Sequence, residues 1–212
     1  MGIPVLIIGR SGTGKSASLR NCVNDPNWGM VKVINKPLPF RGNIPTMVTD
    51  SYGDVIRAIV GSKVKSMVID DAGYLITNYF MKNHSAGGGG NAIFSLYNTL
   101  ADDFWNLIRT VQNMPDDKIV YIIMHEDTND NGDVKPKTIG KLLDEKVCIE
   151  GMCTIVLRAV IDNGEHKFCT NYAEGAVSKS PMGMFNDLYI DNDLKMVDDT
   201  IREYYFGGNE NV

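Results

Sequence analysis

The chain has 212 residues, 43% hydrophobic and 22% charged, with a formal net charge of −5 and a pI near 5.2. This fits one soluble globular domain with a sizeable core and leaves too little chain for two ordinary ones, so residues 1–212 are expected to form a single domain. A disordered or low-complexity chain is excluded, and the acidic balance removes any whole-molecule field that would attract nucleic acid.

The first expected element is a buried strand at "IPVLII", residues 3–8. It is too short for a signal peptide or membrane span, and no basic region precedes it. The four cysteines, Cys22, Cys148, Cys153 and Cys169, form no CxxC pair and no Cys/His metal spacing. Reduced thiols in a cytoplasmic protein are the expectation.

The strand runs into "GRSGTGKS", which fits G-x-x-x-x-G-K-[ST] at every fixed position. Glycines let the backbone turn tightly and aim successive N–H groups at one point, an anion-binding nest. A helix expected from about Lys15 through "KSASLRNCV" adds its positive end. Lys15 would reach the β- and γ-phosphates of a nucleotide, and the Ser16 hydroxyl would ligate Mg²⁺. The candidate nucleotide-binding residues are therefore Gly9, Arg10, Ser11, Gly12, Thr13, Gly14, Lys15, Ser16 and Ala17. The competing reading is a plain glycine-rich turn between a strand and a helix.

A strand at "MVKVIN" (residues 30–35) follows, then a proline-broken stretch, an extended "TMVTD" and a helix over residues 51–60. In "VKSMVIDDAGYL", Met67, Val68 and Ile69 lead into Asp70 and Asp71. Asp70 would hold Mg²⁺, directly or through water. Asp71 would polarise an attacking water as general base. A helix N-cap accounts for one of the two acids equally well. At least one strand is expected between the glycine-loop strand and the Asp70 strand.

A helix at "AGYLITNYFMKNH" is expected to end in the loop of residues 85–91, and a long helix to run to Pro115 with Phe104 and Trp105 in the core. Tyr74, Tyr79 and Phe80 fit core or interface positions better than base stacking. The next buried strand, residues 119–124, would place His125 at a carboxyl strand end, where α/β sheets collect ligands. His125 competes there with Glu126 and with a purely structural role. Beyond lie a polar loop, a short helix at "TIGKLLDEKV", a hairpin around Asn163 and Gly164, a loop at "VSKSPMGMF" and a final helix over about 193–205.

This order of elements resembles a minimal RecA-type P-loop NTPase core. It is similar to the short ATP-binding proteins of phages and prophages that carry the AAA label, some of which are single-strand-annealing recombinases. The likeness spans roughly residues 1–190. It implies an α/β, three-layer fold, a RecA-like core with a mainly parallel central sheet and a C-terminal β-hairpin. It also implies ATP and Mg²⁺ as cofactors, ATP hydrolysis, single-stranded DNA as a partner and homo-oligomers with nucleotide near subunit interfaces, without a membrane. On this resemblance residues 9–16 match the nucleotide loop and Asp70 the magnesium acid, while His125 sits at the γ-phosphate-sensing position. The loops 83–91 and 126–141 fall where such proteins face DNA, and Lys179, or else Arg158, is the candidate to act across a subunit interface. Where RecA relatives carry a catalytic glutamate this chain offers Asn35, and no acid appears before Asp50. Either Asp71 serves as base or hydrolysis is slow. The alternative reading is a weakly hydrolysing nucleotide switch or loader that docks on a replication protein.

Overall fold

The first strand, β1 (Ile3–Gly9), is buried at every position. Its neighbours explain why an unbroken apolar run suits it. Strands covered on both faces need apolar side chains on both faces, unlike the alternation of a half-exposed strand. The computed structural model describes residues 1–85, 91–129, 131–140 and 142–207. After β1 come β2 (Trp28–Lys32), β3 (Thr46–Val48), helix α1 (Tyr52–Gly61), β4 (Ser66–Asp70), α2 (Gly73–Asn83), α3 (Asn91–Gln112) and β5 (Ile119–Ile123). The chain continues through β6 (Glu126–Thr128), β7 (Val134–Pro136), a π-helical turn (Leu142–Val147), a 3-10 turn (Ile149–Met152), β8 (Ile155–Asp162), β9 (Glu165–Cys169), β10 (Tyr189–Asp191) and α4 (Leu194–Phe206).

Among the described residues eight strands make one sheet in the order β10-β9-β8-β1-β5-β4-β2-β3. The run from β8 to β3 is parallel, and β9 and β10 join antiparallel. A strand does separate β1 from β4. It is β5, which follows β4 in sequence, rather than the intervening β2. The β8–β9 hairpin turns at Asn163 (φ +50°) and Gly164 (φ +83°), the left-handed pair of a tight two-residue turn.

The period of two along each strand divides the core. Leu6, Ile8, Met67, Ile69, Val120 and Ile122 face α1, α2 and α3. Val5, Ile7, Val68, Tyr121 and Ile123 face α4 and the segment after the glycine loop, with Trp28 stacked on Tyr121 at 5.6 Å. Each such fully buried aliphatic side chain stabilises the fold by about 1.5–3 kcal/mol. The result is the three-layer α/β arrangement of a P-loop NTPase core.

Two local expectations change. The polar stretch after β5 is a two-stranded hairpin, β6 with β7, not a bare loop. Asn129 organises its turn, the side-chain Oδ1 accepting from the amides of Asn131 (3.0 Å) and Asp133 (2.8 Å). Phe104 is wholly buried, but Trp105 is 42% exposed, with the Arg109 guanidinium 5.5 Å from its ring centre. Neighbouring helical residues point about 100° apart, which turns Trp105 toward solvent while Phe104 faces the core. No helix among the described residues is long and apolar enough to cross a membrane.

Candidate active site

The parallel register brings the carboxyl ends of β1, β4 and β5 to one edge of the sheet, where the glycine loop, Asp70, Asp71 and His125 emerge. Gly14 has φ +93°, and a Cβ there would stand 3.0 Å from both Asn192 Oδ1 and His166 Nδ1, so glycine is required. The next segment, Ser16–Cys22, is a seven-residue 3-10 helix rather than a regular helix. The Ser18 hydroxyl donates to the Lys15 carbonyl at 2.6 Å, taking an acceptor that α-helical bonding would use.

Lys15 curls back into the loop. Its Nζ donates to the carbonyls of Gly9 and Arg10, each at 2.7 Å, and the residue is only 7% exposed. Burial lowers its pKa to about 8, against the opposing charges of Asp71 and Glu126.

The Ser16 Oγ donates to Asp70 Oδ1 at 2.8 Å. Asp70 is 1% exposed. Burial and then the charge of Asp71 raise its pKa, with the Ser16 hydrogen bond opposing. Among the described residues no cation pairs with Asp70 within salt-bridge distance. A buried carboxylate with no direct ion pair, beside a hydroxyl, is a hard-oxygen donor set that fits Mg²⁺, which takes one or two protein oxygens and completes its shell with phosphate and water. Among the described residues no cluster of three His, Cys, Asp or Glu offers a self-sufficient metal cage.

Asp71 holds a left-handed backbone (φ +59°), uncommon for a non-glycine residue and typical of functional sites. Its Oδ2 lies 2.5 Å from Lys36 Nζ and its Oδ1 3.8 Å from His125 Nε2. Partial burial pulls the Lys36 ammonium down, but the hydrogen bond and charge of Asp71 outweigh it and the pKa is raised. Burial, and then the charge of Lys15, lower that of His125, keeping the imidazole neutral at pH 7.

Two clefts open here. One, of about 310 Å³, is lined by Lys15, Ser16, Lys36, Asp71, His125 and His166, along with the glycine loop. The other, of about 400 Å³, shares Ser11 and His125 and is walled by Arg10, Tyr74, Lys137 and Glu126. Tyr74 stands edge-on to His125 with ring centres 6.2 Å apart, whereas Tyr79 and Phe80 pack on the core as expected.

Not every candidate converges. Lys179 pairs through its backbone with Val156 and stands apart from both clefts; its charge is felt at Cys148 and Cys153 instead. Arg158 is folded back within its own chain. It donates from Nε and Nη2 to the two oxygens of Glu126 at 2.8 and 3.0 Å, the Glu126 side chain being 2% exposed. Within the chain, therefore, Arg158 is engaged by Glu126 and not by the nucleotide cleft. In the two expected DNA-facing loops, residues 86–90, Asp130 and Lys141 lie outside the described residues. Lys36, His166 and Asn192 did not stand out in the sequence. The signal for Lys36 was its place just beyond a buried strand, the same rule that singled out Asp70.

The sequence matches the family described as an AAA domain over residues 1–182. No curated protein matches it. Among solved structures, the X-ray structure of the Legionella pneumophila ATPase DotB is similar, with a TM-score of 0.35 and 13% identity over 75% of this chain. The match spans 41% of the DotB chain.

Proposed function

The chain belongs to the AAA domain family of P-loop NTPases, and from that premise we propose that it is a Mg²⁺-dependent ATPase of RecA-like type acting on single-stranded DNA. Its setting would be phage or prophage recombination, annealing or replication in the cytoplasm, with the whole chain as one domain. Homo-oligomers would carry ATP near their subunit interfaces. One observation carries the nucleotide part: Lys15, Ser16, Asp71 and His125 line a single cleft, and Ser16 is hydrogen-bonded to Asp70.

In this reading the amides of residues 9–17 cradle the phosphates and Lys15 exchanges two carbonyl partners for phosphate oxygens. Ser16 and Asp70 would hold Mg²⁺, which neutralises phosphate charge when bound. Asp71 accepts a proton from water as the water oxygen bonds to the γ-phosphorus, and the bond to the ADP oxygen breaks. His125, beside Asp71, orients that water or the terminal phosphate. The neighbouring cleft supports the DNA part: Arg10, Lys137 and Tyr74 offer two cations and an aromatic face. Glu126 counts little against it, because Arg158 already neutralises that carboxylate.

The test is ATP hydrolysis with and without single-stranded DNA, beside Lys15→Ala. Stimulation that disappears in Lys15→Ala is expected; an equal rate with and without DNA contradicts the DNA role. The Lys36–Asp71 ion pair favours the second reading, a slow nucleotide switch or loader. ATP retention without stimulated turnover, together with co-purification of a replication protein, would select it.

A further inference from the structure

Lys36 stands just past β2 at the edge of the cleft, and its backbone is braced. Its amide donates to the Ile34 carbonyl at 2.9 Å, and its carbonyl accepts from the ammonium of Lys32, a lysine that is itself buried. Pro37 follows directly and restricts the backbone further. The side chain differs from this fixed base. It is 46% exposed, while the Asp71 carboxylate it pairs with is 4% exposed. One partner is therefore free to move and the other is not.

Two ammonium groups thus line one phosphate-sized cleft, Lys15 bound to carbonyls and Lys36 bound to Asp71. We propose that Lys36 is the residue that senses the terminal phosphate, leaving Asp71 for the γ-phosphate of a nucleoside triphosphate and remaining on Asp71 when the nucleotide ends at the β-phosphate. The proposal rests on the nucleotide-binding reading above. It makes the basicity of Asp71 conditional on the substrate, since an ammonium held on one carboxylate oxygen lowers the proton affinity of the whole group.

The exchange is favourable on charge. Asp71 offers one negative charge, whereas a terminal phosphate carries about −1.5 to −2 at neutral pH and three acceptor oxygens. A four-carbon lysine stem can swing between partners a few ångströms apart while its backbone stays fixed. His125 Nε2 lies 3.8 Å from the other Asp71 oxygen, beyond hydrogen-bond distance, so the carboxylate that Lys36 vacates is open to the attacking water. An ion pair formed with the triphosphate alone separates the affinities of ATP and ADP.

The experiment is equilibrium binding of ATP and of ADP to the full chain by calorimetry, for the unsubstituted protein, Lys36→Met, Asp71→Asn and Lys15→Ala. Lys36→Met is expected to lose roughly 10- to 100-fold in ATP affinity, with ADP affinity held within about twofold. Retained ADP binding shows that the variant is folded. Asp71→Asn releases the lysine in advance, so ATP should bind several-fold tighter, about the value of one exposed ion pair, with ADP unchanged. Equal losses for ATP and ADP in Lys36→Met, or an unaltered ATP-to-ADP ratio in both variants, would overturn the sensor. Failure of the underlying reading looks different: the unsubstituted protein binds neither nucleotide, or Lys15→Ala binds both as well as it does.

Discussion

ATP entering the cleft should bring a proton with it once the pH approaches 8. In the free protein Lys15 is buried and its pKa is lowered to about 8. Contact with a triphosphate restores the ammonium fully, so binding takes up the missing fraction of a proton. That fraction is about 0.1 at pH 7, 0.5 at pH 8 and 0.9 at pH 9. Linkage then weakens ATP binding roughly twofold at pH 8 and tenfold at pH 9, relative to neutral pH. Calorimetry in pairs of buffers with different ionisation heats reads the uptake directly. A binding heat independent of buffer at pH 8 and 9, with flat affinity across that range, would refute the reasoning. Stability should follow the same group. A lysine whose folded pKa lies below its unfolded value of 10.5 detracts from stability below about pH 8, and that deficit disappears as the pH rises from 8 to 10.5. The nucleotide-free protein should gain stability over that window, and Lys15→Met should lack the gain and exceed the unsubstituted protein at pH 7.

Arg158→Met strands the buried Glu126 carboxylate, at a cost of about 3–5 kcal/mol, eased by Arg10 at 3.5 Å. Urea midpoints check this, Glu126→Gln in the same chain should recover most of the loss, and a change below about 1 kcal/mol contradicts it. Asp70→Asn should stabilise the free protein. The folded pKa of Asp70 is raised, so its charge opposes folding at pH 7, and the penalty fades as pH falls through that raised value toward the ordinary value of 3.8. Thermal melts should shift up by a few degrees, for about 1 kcal/mol, while the Mg²⁺ dependence of ATP binding is lost. Asp198 accepts from Ser66 Oγ, Tyr121 OH and Arg202 Nε at 2.7, 2.8 and 2.7 Å, tying α4 to the sheet. Asp198→Ala leaves the buried Tyr121 hydroxyl without its acceptor and should cost about 3 kcal/mol in denaturant melts, with ATP affinity unchanged in the folded protein.

What the sequence made legible was set by short-range geometry. The glycine loop is a local device with fixed spacing, and Asp70 and His125 follow from one rule, that buried parallel strands deliver their next residues to a shared edge. Lys36 escaped because its partner Asp71 is distant in sequence, and because β2 ends at Lys32, so the turn that brings Lys36 to Asp71 lies beyond the strand. The β6–β7 hairpin escaped because "EDT" and "VKP" have little strand propensity. Their pairing depends on the Asn129 turn and on the bond from the Lys137 amide to the His125 carbonyl at 2.8 Å. Arg158 read as a free cation because its partner, Glu126, lies 32 residues away in sequence. Sheet order likewise depends on long-range packing, which explains why β5 separates β1 from β4.

The most direct measurement is equilibrium binding of ATP with Mg²⁺ by the full chain, beside Lys15→Ala and Ser16→Ala. The account predicts saturable binding in the unsubstituted protein, loss of nearly all affinity in Lys15→Ala and loss of the Mg²⁺ dependence in Ser16→Ala. Binding unaffected by either substitution, or no ATP binding at all, would contradict it.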